Sequence, residues 1–456
     1  MELAPAIAGL VVLANHAAVD GRLSPTSVAV AGTALVLGTA ALSRRSPLGL
    51  LGPAAIFFVG GLLYSLPSGI AIATAGELYD ERALGDSVIG RGTMIVFVAY
   101  GAALVGAGLA PGRRRNLPLW LRASAMRADL SVGTSAMAVG VLAMLLLLSA
   151  VGGAGALAAV NYGERYLLLD GLGPLVVGFQ VLIVGTLVTV ATLLHHNRVR
   201  AALVASLIGL LVLGWWTAIS GSRTSTFQLS VGLLGLLQAS GRRIRAPVLL
   251  LVGVVAMVAG FFFGAVRGGA ELGSILGDPA SIAMRLNPSN QEFGTAVATT
   301  GDIASAVPAA EPYHLGATIP RSLGVLVPRA LWPERPESLP EWYVRRFYPN
   351  VAEIGGGYAF SPVAEAWLNF GMAGVVMSFL AIGALLRAAE CRLTAPMPPW
   401  AACLVAALLP WLFVFARLDS ATMLKSIGVN VVAVLLAAFA AGRLLAVHSA
   451  RHRSAV

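Results

Sequence analysis

The chain has 456 residues, of which 57% are hydrophobic and only 11% are charged, and its formal net charge is +10. Its mean hydropathy of +0.82 excludes an ordinary soluble enzyme, because a membrane-spanning helix needs about 20 mostly apolar residues and this chain has room for many. Its two cysteines offer neither a disulfide framework nor a metal-binding spacing, and we expect no cofactor.

Twelve apolar segments predict an all-α polytopic membrane protein of about twelve transmembrane helices. The segments cover residues 3–19, 26–42, 50–72, 91–110, 130–153, 170–194, 199–219, 224–240, 247–266, 362–387, 400–417 and 423–447. The first segment has an alternative interpretation as a signal peptide, but it lacks a basic leading region and a clear cleavage site. We therefore interpret it as a span.

The charged residues predict the orientation of these spans. One set of alternate connections, together with the chain ends, holds 17 basic and three acidic residues, whereas the other holds 14 basic and 18 acidic residues. Because positive charge concentrates on the cytoplasmic side, both termini are expected in the cytoplasm. The abundance of Ala and Gly, with Lys425 as the single lysine, suggests a bacterial protein, and the membrane is therefore expected to be a bacterial plasma membrane. The positive charge then indicates membrane orientation rather than binding of nucleic acid.

One connection is long, and it runs from Arg267 to about Phe360 on the predicted extracytoplasmic side. It contains ten prolines and several tryptophans and tyrosines, a composition that is too aromatic for a disordered linker. We expect a folded cap of short helices and turns. The predicted organisation is a nine-span membrane region over 1–266, an extracytoplasmic cap over 267–360 and a three-span region over 361–456.

Four arginines at the outer boundary are candidates for binding phosphate. Arg223 lies in a short loop rich in hydroxyl groups, Arg267 follows span nine, and Arg321 and Arg329 each follow a proline. The guanidinium group is a rigid donor fork that suits phosphate oxygens. Each arginine alone has the ordinary interpretation of a surface or interfacial charge.

Carboxylate, amide and aromatic side chains follow in the same half of the chain. Ser361 and Pro362 predict a helix start, which places Glu365 in the first turn and Asn369 one turn further on the same face. Glu365 is the first candidate for a base and His314 the second. Local roles compete, since a glutamate also stabilises a helix N-terminus and a lone histidine is commonly a hydrogen-bonding group. Three further candidates for binding substrate are Glu292, Trp332 and Tyr358.

These residues form a pattern that resembles the O-antigen polymerase (Wzy-like) family of oligosaccharide repeat-unit polymerases. The pattern consists of Gly316, Ile319–Pro320–Arg321, Leu331–Trp332–Pro333, Pro336, Gly357–Tyr358, Ser361–Pro362, Glu365 and Asn369–Phe370–Gly371. The loop with Ser222 and Arg223 also resembles the arginine-bearing loop of the wider group of polymerases and O-antigen ligases.

The resemblance implies a reaction on the outer membrane face. A growing glycan would leave its undecaprenyl pyrophosphate carrier and join a lipid-linked repeat unit, without a nucleotide sugar. Arg223 and Arg321 would stabilise the leaving pyrophosphate, and Glu365 would act on the acceptor hydroxyl. The implied partners are lipid-linked oligosaccharides, membrane lipid, a chain-length regulator and a flippase. A ligase that uses the same donor and a twelve-span secondary transporter are the alternatives.

Overall fold

A computed structural model gives the structure of the protein. It describes residues 24–75, 82, 84–110, 126–159, 168–169, 171–267, 277–278, 282, 294–325, 327, 332–353, 357–393 and 396–453.

Throughout these residues the regular secondary structure is helical. The helices are α1 (Pro25–Arg45), α2 (Pro53–Ala75), α3 (Asp86–Leu109), α4 (Met126–Ala150), α5 (Ala154–Ala159), α6 (Gly173–His195), α7 (Val199–Ser220), α8 (Thr224–Ala239), α9 (Ala246–Arg267), α10 (Thr295–Ala306), α11 (Thr318–Val325), α12 (Leu339–Phe347), α13 (Pro349–Glu353), α14 (Pro362–Glu390), α15 (Pro399–Phe413) and α16 (Ser420–Arg453). Two short 3-10 helices cover Gly49–Leu51 and Val414–Arg417.

The prediction of an all-helical polytopic membrane protein is confirmed. The first predicted segment, 3–19, lies outside the described residues. Each of the other predicted segments overlaps one α-helix, and segments 50–72 and 400–417 also include part or all of a short 3-10 helix. Within the described part of the chain, nine helices are long and apolar enough to cross a membrane. Helix α8 has 16 residues and is short for a span of about 20. The exact number of twelve spans is therefore not confirmed.

The chain divides into two compact units, each built from several stretches of sequence. The first unit takes the described residues of Met1–Arg114, Met257–Arg392 and Leu412–Lys425. The second takes those of Arg115–Ala256, Leu393–Trp411 and Ser426–Val456. The three-part division that we predict along the sequence stays a prediction.

In the first unit, α3 packs closely against α10 and α14. A Cβ atom added to Gly92 of α3 would clash with the Val297 carbonyl of α10, and one added to Gly383 of α14 would clash with the Ala103 carbonyl of α3. Small residues let helix backbones approach where lipid offers no hydrophobic drive for helices to associate. Helix α10, which belongs to the long loop, is thereby held against a candidate span.

The described part of the predicted cap is a folded layer of short helices, α10 to α13, with a core of its own. This core includes the buried residues Ile303, Leu339, Tyr343, Val344 and Phe360. It also includes Ala364 and Leu368 from the first turns of α14. The cap is thus packed on the start of the next span, and this contact positions the residues of the candidate site.

The second unit contains α4 to α8. Helices α4 and α6 meet at small residues, because a Cβ on Gly140 would lie 2.5 Å from the Cβ of Leu182. A side-chain hydrogen bond joins α6 to α8, with Gln180 Nε2 donating to Gln228 Oε1 over 2.9 Å.

Candidate active site

Helix α14 is interrupted at the Asn-Phe-Gly sequence. Phe370 (φ −143°, ψ 19°) and Gly371 (φ 60°, ψ −148°) both leave helical geometry. The Gly371 conformation is essentially restricted to glycine. A Cβ there would also lie 2.9 Å from the Tyr313 hydroxyl oxygen. The motif therefore divides α14 into a short first part, which carries Glu365 and Asn369, and a longer apolar second part.

The segment before α11 satisfies the backbone groups that the break leaves without helical partners. The backbone N–H of His314 donates to the Leu368 carbonyl over 3.0 Å, and that of Leu315 donates to the Asn369 carbonyl over 3.2 Å. The Asn369 side chain continues this pairing, since its Oδ1 accepts from Gly316 N over 2.8 Å. Asn369 thus fixes the entry to α11, the helix that carries Arg321.

Glu365 lies at the centre of a buried hydrogen-bond network. Its Oε1 accepts from the hydroxyls of Thr318 at 2.8 Å and Ser420 at 2.6 Å. Its Oε2 accepts from the Ser420 backbone N–H at 2.7 Å. The Thr318 hydroxyl in turn accepts from Asn369 Nδ2 at 2.7 Å. The predicted pair, Glu365 and Asn369, is therefore brought together, and it ties α11 and the start of α16 to α14.

The predicted helix start is present as well. Ser361 is the N-cap of α14, and its hydroxyl accepts from the Ala364 N–H over 2.9 Å. Pro362 occupies the first helical position. The first-turn placement of Glu365 is confirmed, and its carboxylate points to Thr318 and Ser420.

A pocket of about 280 Å³ adjoins this network within the first unit. Its lining includes Thr318, Arg321, Glu337, Trp342 and Asp419. Arg321 is exposed, and within the described residues it forms no ion pair or hydrogen bond. An exposed guanidinium group at a pocket can bind an anion without first breaking an internal salt bridge.

Asp419 is a site residue that the sequence analysis misses. It is 1% exposed, and within the described part of the chain neither of its carboxylate oxygens has a hydrogen bond of standard geometry. Burial raises the pKa of Asp419, the nearby hydroxyl and backbone N–H of Thr422 counter that effect, and the charge of Glu365 raises the pKa further. The available signal is one acidic residue in the short connection between the last two predicted spans.

The other predicted residues of the cap that the structure describes do not line this pocket. His314 Nε2 lies 3.5 Å from Glu311 Oε1, and its ring is 5.2 Å from that of Trp342. Tyr358 packs edge-to-face against Tyr348 with ring centroids 5.3 Å apart. Trp332 is 43% exposed and lies near Gly324 at the end of α11. Their proposed roles in binding substrate stay predictions.

A polar network supports Tyr358 and joins the cap helices. Both the Tyr343 and Tyr348 hydroxyls donate to Asp302 Oδ2, over 2.6 and 2.7 Å. The Arg82 guanidinium donates to the Tyr343 hydroxyl over 3.1 Å and lies 4.7 Å above the Tyr358 ring. Burial, the main cause, raises the pKa of Tyr343 far above its ordinary value. Tyr343 therefore stays protonated and donates to Asp302.

Arg223 belongs to the second unit, in the turn that joins α7 to α8. Gly221 ends α7 with φ 68°, and Thr217 Oγ1 lies 2.7 Å from Thr226 Oγ1 across the turn. The Ser222 N–H donates to the Ser220 hydroxyl over 3.1 Å. These bonds fix a short turn, in which Arg223 is half-buried and has interactions of its own.

Three other predicted positions are not described at the level of side chains. Glu292 and Arg329 lie outside the described residues. Arg267 is the last residue of α9, and its side chain is also outside them. The idea that four arginines gather at one face therefore stays a prediction. Among the described residues, no group of three or more His, Cys, Asp or Glu side chains is arranged to hold a metal ion.

Comparison with known protein families gives one match. The family model described as O-antigen polysaccharide polymerase Wzy matches residues 217–443, about half of the chain. The match includes Arg223, the described cap, the broken helix α14 and Asp419. No curated protein and no solved structure matches the chain.

Proposed function

Residues 217–443 belong to the O-antigen polysaccharide polymerase Wzy family, and on that premise we propose that this membrane polymerase extends a glycan carried on a lipid pyrophosphate. The donor is a growing chain on undecaprenyl pyrophosphate, and the acceptor is a lipid-linked repeat unit. The reaction takes place on the outer face, the side on which the positive-inside distribution of arginines predicts the cap. The family match favours this function over a secondary transporter.

The observation that carries the proposal is the exposed Arg321 at the pocket, backed by the buried network of Glu365, Asn369, Thr318 and Ser420. As the bond between the donor sugar and pyrophosphate breaks, negative charge develops on the leaving oxygen. A fixed guanidinium group stabilises that charge more in the transition state than in the ground state, and this difference accelerates the reaction.

The Glu365 network fixes the position of α11, the helix that carries Arg321. Thr318, at the start of α11 and one turn before Ser322, donates its hydroxyl to Glu365. Asn369 accepts from the backbone of the residues that lead into α11. The sequence-based role of Glu365 as the base stays a prediction. The hydrogen bonds that its carboxylate already accepts support a second role, in which Glu365 positions α11 and the start of α16.

Arg223 is proposed as a further phosphate-binding residue. Its support is the rigid hydroxyl-rich turn of the second unit and the donor fork of its side chain. A chain-length regulator and a flippase are proposed partners, because the product must reach a set length and the substrate must first cross the membrane.

The test is polymerisation by the purified protein in lipid vesicles. Its substrate is a synthetic repeat unit on undecaprenyl pyrophosphate, and a labelled non-glycan acceptor lipid is supplied in parallel. We expect a ladder of products that differ by one repeat unit, together with release of undecaprenyl pyrophosphate. Transfer solely to the second acceptor would identify a ligase, and unchanged substrate would contradict a polymerase.

A further inference from the structure

The carboxylate of Asp419 has a position that the proposed function does not yet use. It lies at the N-cap position of α16, since the Met423 N–H donates to its carbonyl over 2.9 Å. A capping aspartate normally accepts hydrogen bonds from the first turn through its side chain. Here both carboxylate oxygens are buried without a hydrogen bond of standard geometry to the described residues, and the residue lines the Arg321 pocket.

Burying a carboxylate without good partners costs free energy, so a buried acid that lacks them calls for an explanation such as a functional role. The contrast with Glu365 is direct, because that neighbouring carboxylate accepts three hydrogen bonds from Thr318 and Ser420. Among the described residues Asp419 is the less satisfied of the two acids, and it shares a pocket with the Arg321 guanidinium group, which forms no ion pair or hydrogen bond with them.

We propose that Asp419 is the general base of the polymerase and takes the proton of the acceptor sugar hydroxyl in the Arg321 pocket. This inference rests on the proposed function. The acceptor oxygen attacks the anomeric carbon of the donor glycan, and a new C–O bond forms there. The bond from that carbon to the pyrophosphate oxygen breaks, and its electron pair stays on the pyrophosphate, which Arg321 stabilises. The hydroxyl proton moves to Asp419 and from there to water.

The size of the pocket agrees with these roles of Asp419 and Arg321. Its volume of about 280 Å³ is near the lower end for small-molecule sites, which span about 300–1,000 Å³. It therefore holds the reacting hydroxyl and phosphate groups rather than a whole oligosaccharide. The remainder of each lipid-linked substrate lies outside the pocket.

Glu365 on α14 opposes ionisation of Asp419 by repulsion between the two carboxylates. Glu337 before α12 and Arg321 on α11 are the other charged groups that line the pocket among the described residues. Glu337 is partly neutralised by Arg345, whose Nη1 lies 3.0 Å from Glu337 Oε2. Burial raises the pKa of Asp419, so the carboxylate becomes a stronger base, and activity is lost at a higher pH than for an ordinary aspartate as the solution is acidified.

The experiment measures the initial polymerisation rate of the purified protein across pH, together with binding of a fluorescent lipid-linked repeat unit. We expect Asp419→Asn to lower the rate by about 10²–10⁴-fold and to remove the acidic limb of the pH profile, while binding is retained. Asp419→Ser should behave alike, and Asp419→Glu should recover part of the rate and the limb. Glu365→Gln should keep the acidic limb, and the exposed Glu334→Gln serves as the control for loss of one charge.

These variants separate catalysis from helix capping. Asparagine and serine are good N-cap residues, so Asp419→Asn and Asp419→Ser should melt at the temperature of the wild type or above it. At neutral pH they also remove a buried charge whose raised pKa makes the folded state more stable at lower pH. If Asp419→Asn keeps the wild-type rate and the acidic limb, this inference is overturned and the proposed function is left standing. Activity that falls only in step with the melting temperature would show a structural role. A wild-type protein that builds no polymer would overturn the inference and the proposed function together.

Discussion

Arg321 and Arg223, both predicted as phosphate-binding residues, stand in different surroundings. Arg321 is exposed beside a pocket and has no ion pair or hydrogen bond within the described residues. Arg223 is half-buried in a short turn and has interactions there. The comparison shows that the backbone beneath an arginine can be fixed in two different ways. A buried network fixes the helix beneath Arg321, whereas the turn itself fixes Arg223.

The largest expected effect is at Arg321. Arg321→Ala should lower the polymerisation rate by about 10²–10³-fold, the usual cost of one lost oxyanion donor. Arg321→Lys keeps the charge but loses the donor fork, so its rate should fall between those of the wild type and Arg321→Ala. The rate is measured with purified lipid-linked repeat unit, and Arg91→Ala, at an exposed arginine of α3, is the matched control. An Arg321→Ala variant as active as this control would remove Arg321 from the mechanism.

Arg223 should show the smaller effect of the two arginines. If it supplies one further charge-assisted hydrogen bond to the pyrophosphate, Arg223→Ala should slow the reaction on the order of tenfold, which corresponds to about 1.4 kcal/mol. The same rate assay measures the loss, and the melting temperature shows whether the turn has survived. Near-normal polymer from both Arg223→Ala and Arg223→Lys would leave Arg223 as an interfacial charge.

Two glycines, Gly371 in the break of α14 and Gly221 in the Arg223 turn, allow the backbone at the two places to be compared. Gly371→Ala forces alanine into a glycine-only conformation against Tyr313 and should cost about 1–3 kcal/mol of stability. Gly221→Ala, in the Arg223 turn, needs only the left-handed helical conformation and should cost about 1 kcal/mol. Thermal unfolding in detergent measures both, and Gly428→Ala, with no neighbour within 4 Å, is the control. Equal melting temperatures for all three variants would show that the break in α14 is not a strained, glycine-dependent feature.

Much of the fold follows from the sequence because long apolar segments and capping residues have local causes. The hydropathy of the predicted segments 170–194 and 199–219 places the helices Gly173–His195 and Val199–Ser220 to within a few residues, and the Ser361–Pro362 start does the same for α14. The position of Glu365 and Asn369 on one helical face was predictable for the same reason. The break at Phe370–Gly371 was not predicted, since its partners come from His314 and Leu315, more than 50 residues earlier in the chain.

The remaining part of the site depends on contacts that no local pattern encodes. Asp419 reaches the pocket because Ser420 binds Glu365, a contact between two helices separated in sequence by another span. The sequence predicts Glu365 in the first turn of a helix, as the first candidate for a base. Its hydrogen bonds to Thr318 and Ser420 require the tertiary structure, and they add the positioning role.

Photolabelling tests the location of the reaction most directly. A repeat unit on undecaprenyl pyrophosphate, with a diazirine on its acceptor sugar, is bound to the purified protein and irradiated, and the labelled peptides are mapped by mass spectrometry. We expect labels within 318–342 and 419–421, and we expect excess unlabelled repeat unit to suppress them. Labels confined to the Arg223 turn, or labels that persist under competition, would contradict the assignment of the reaction to the Arg321 pocket.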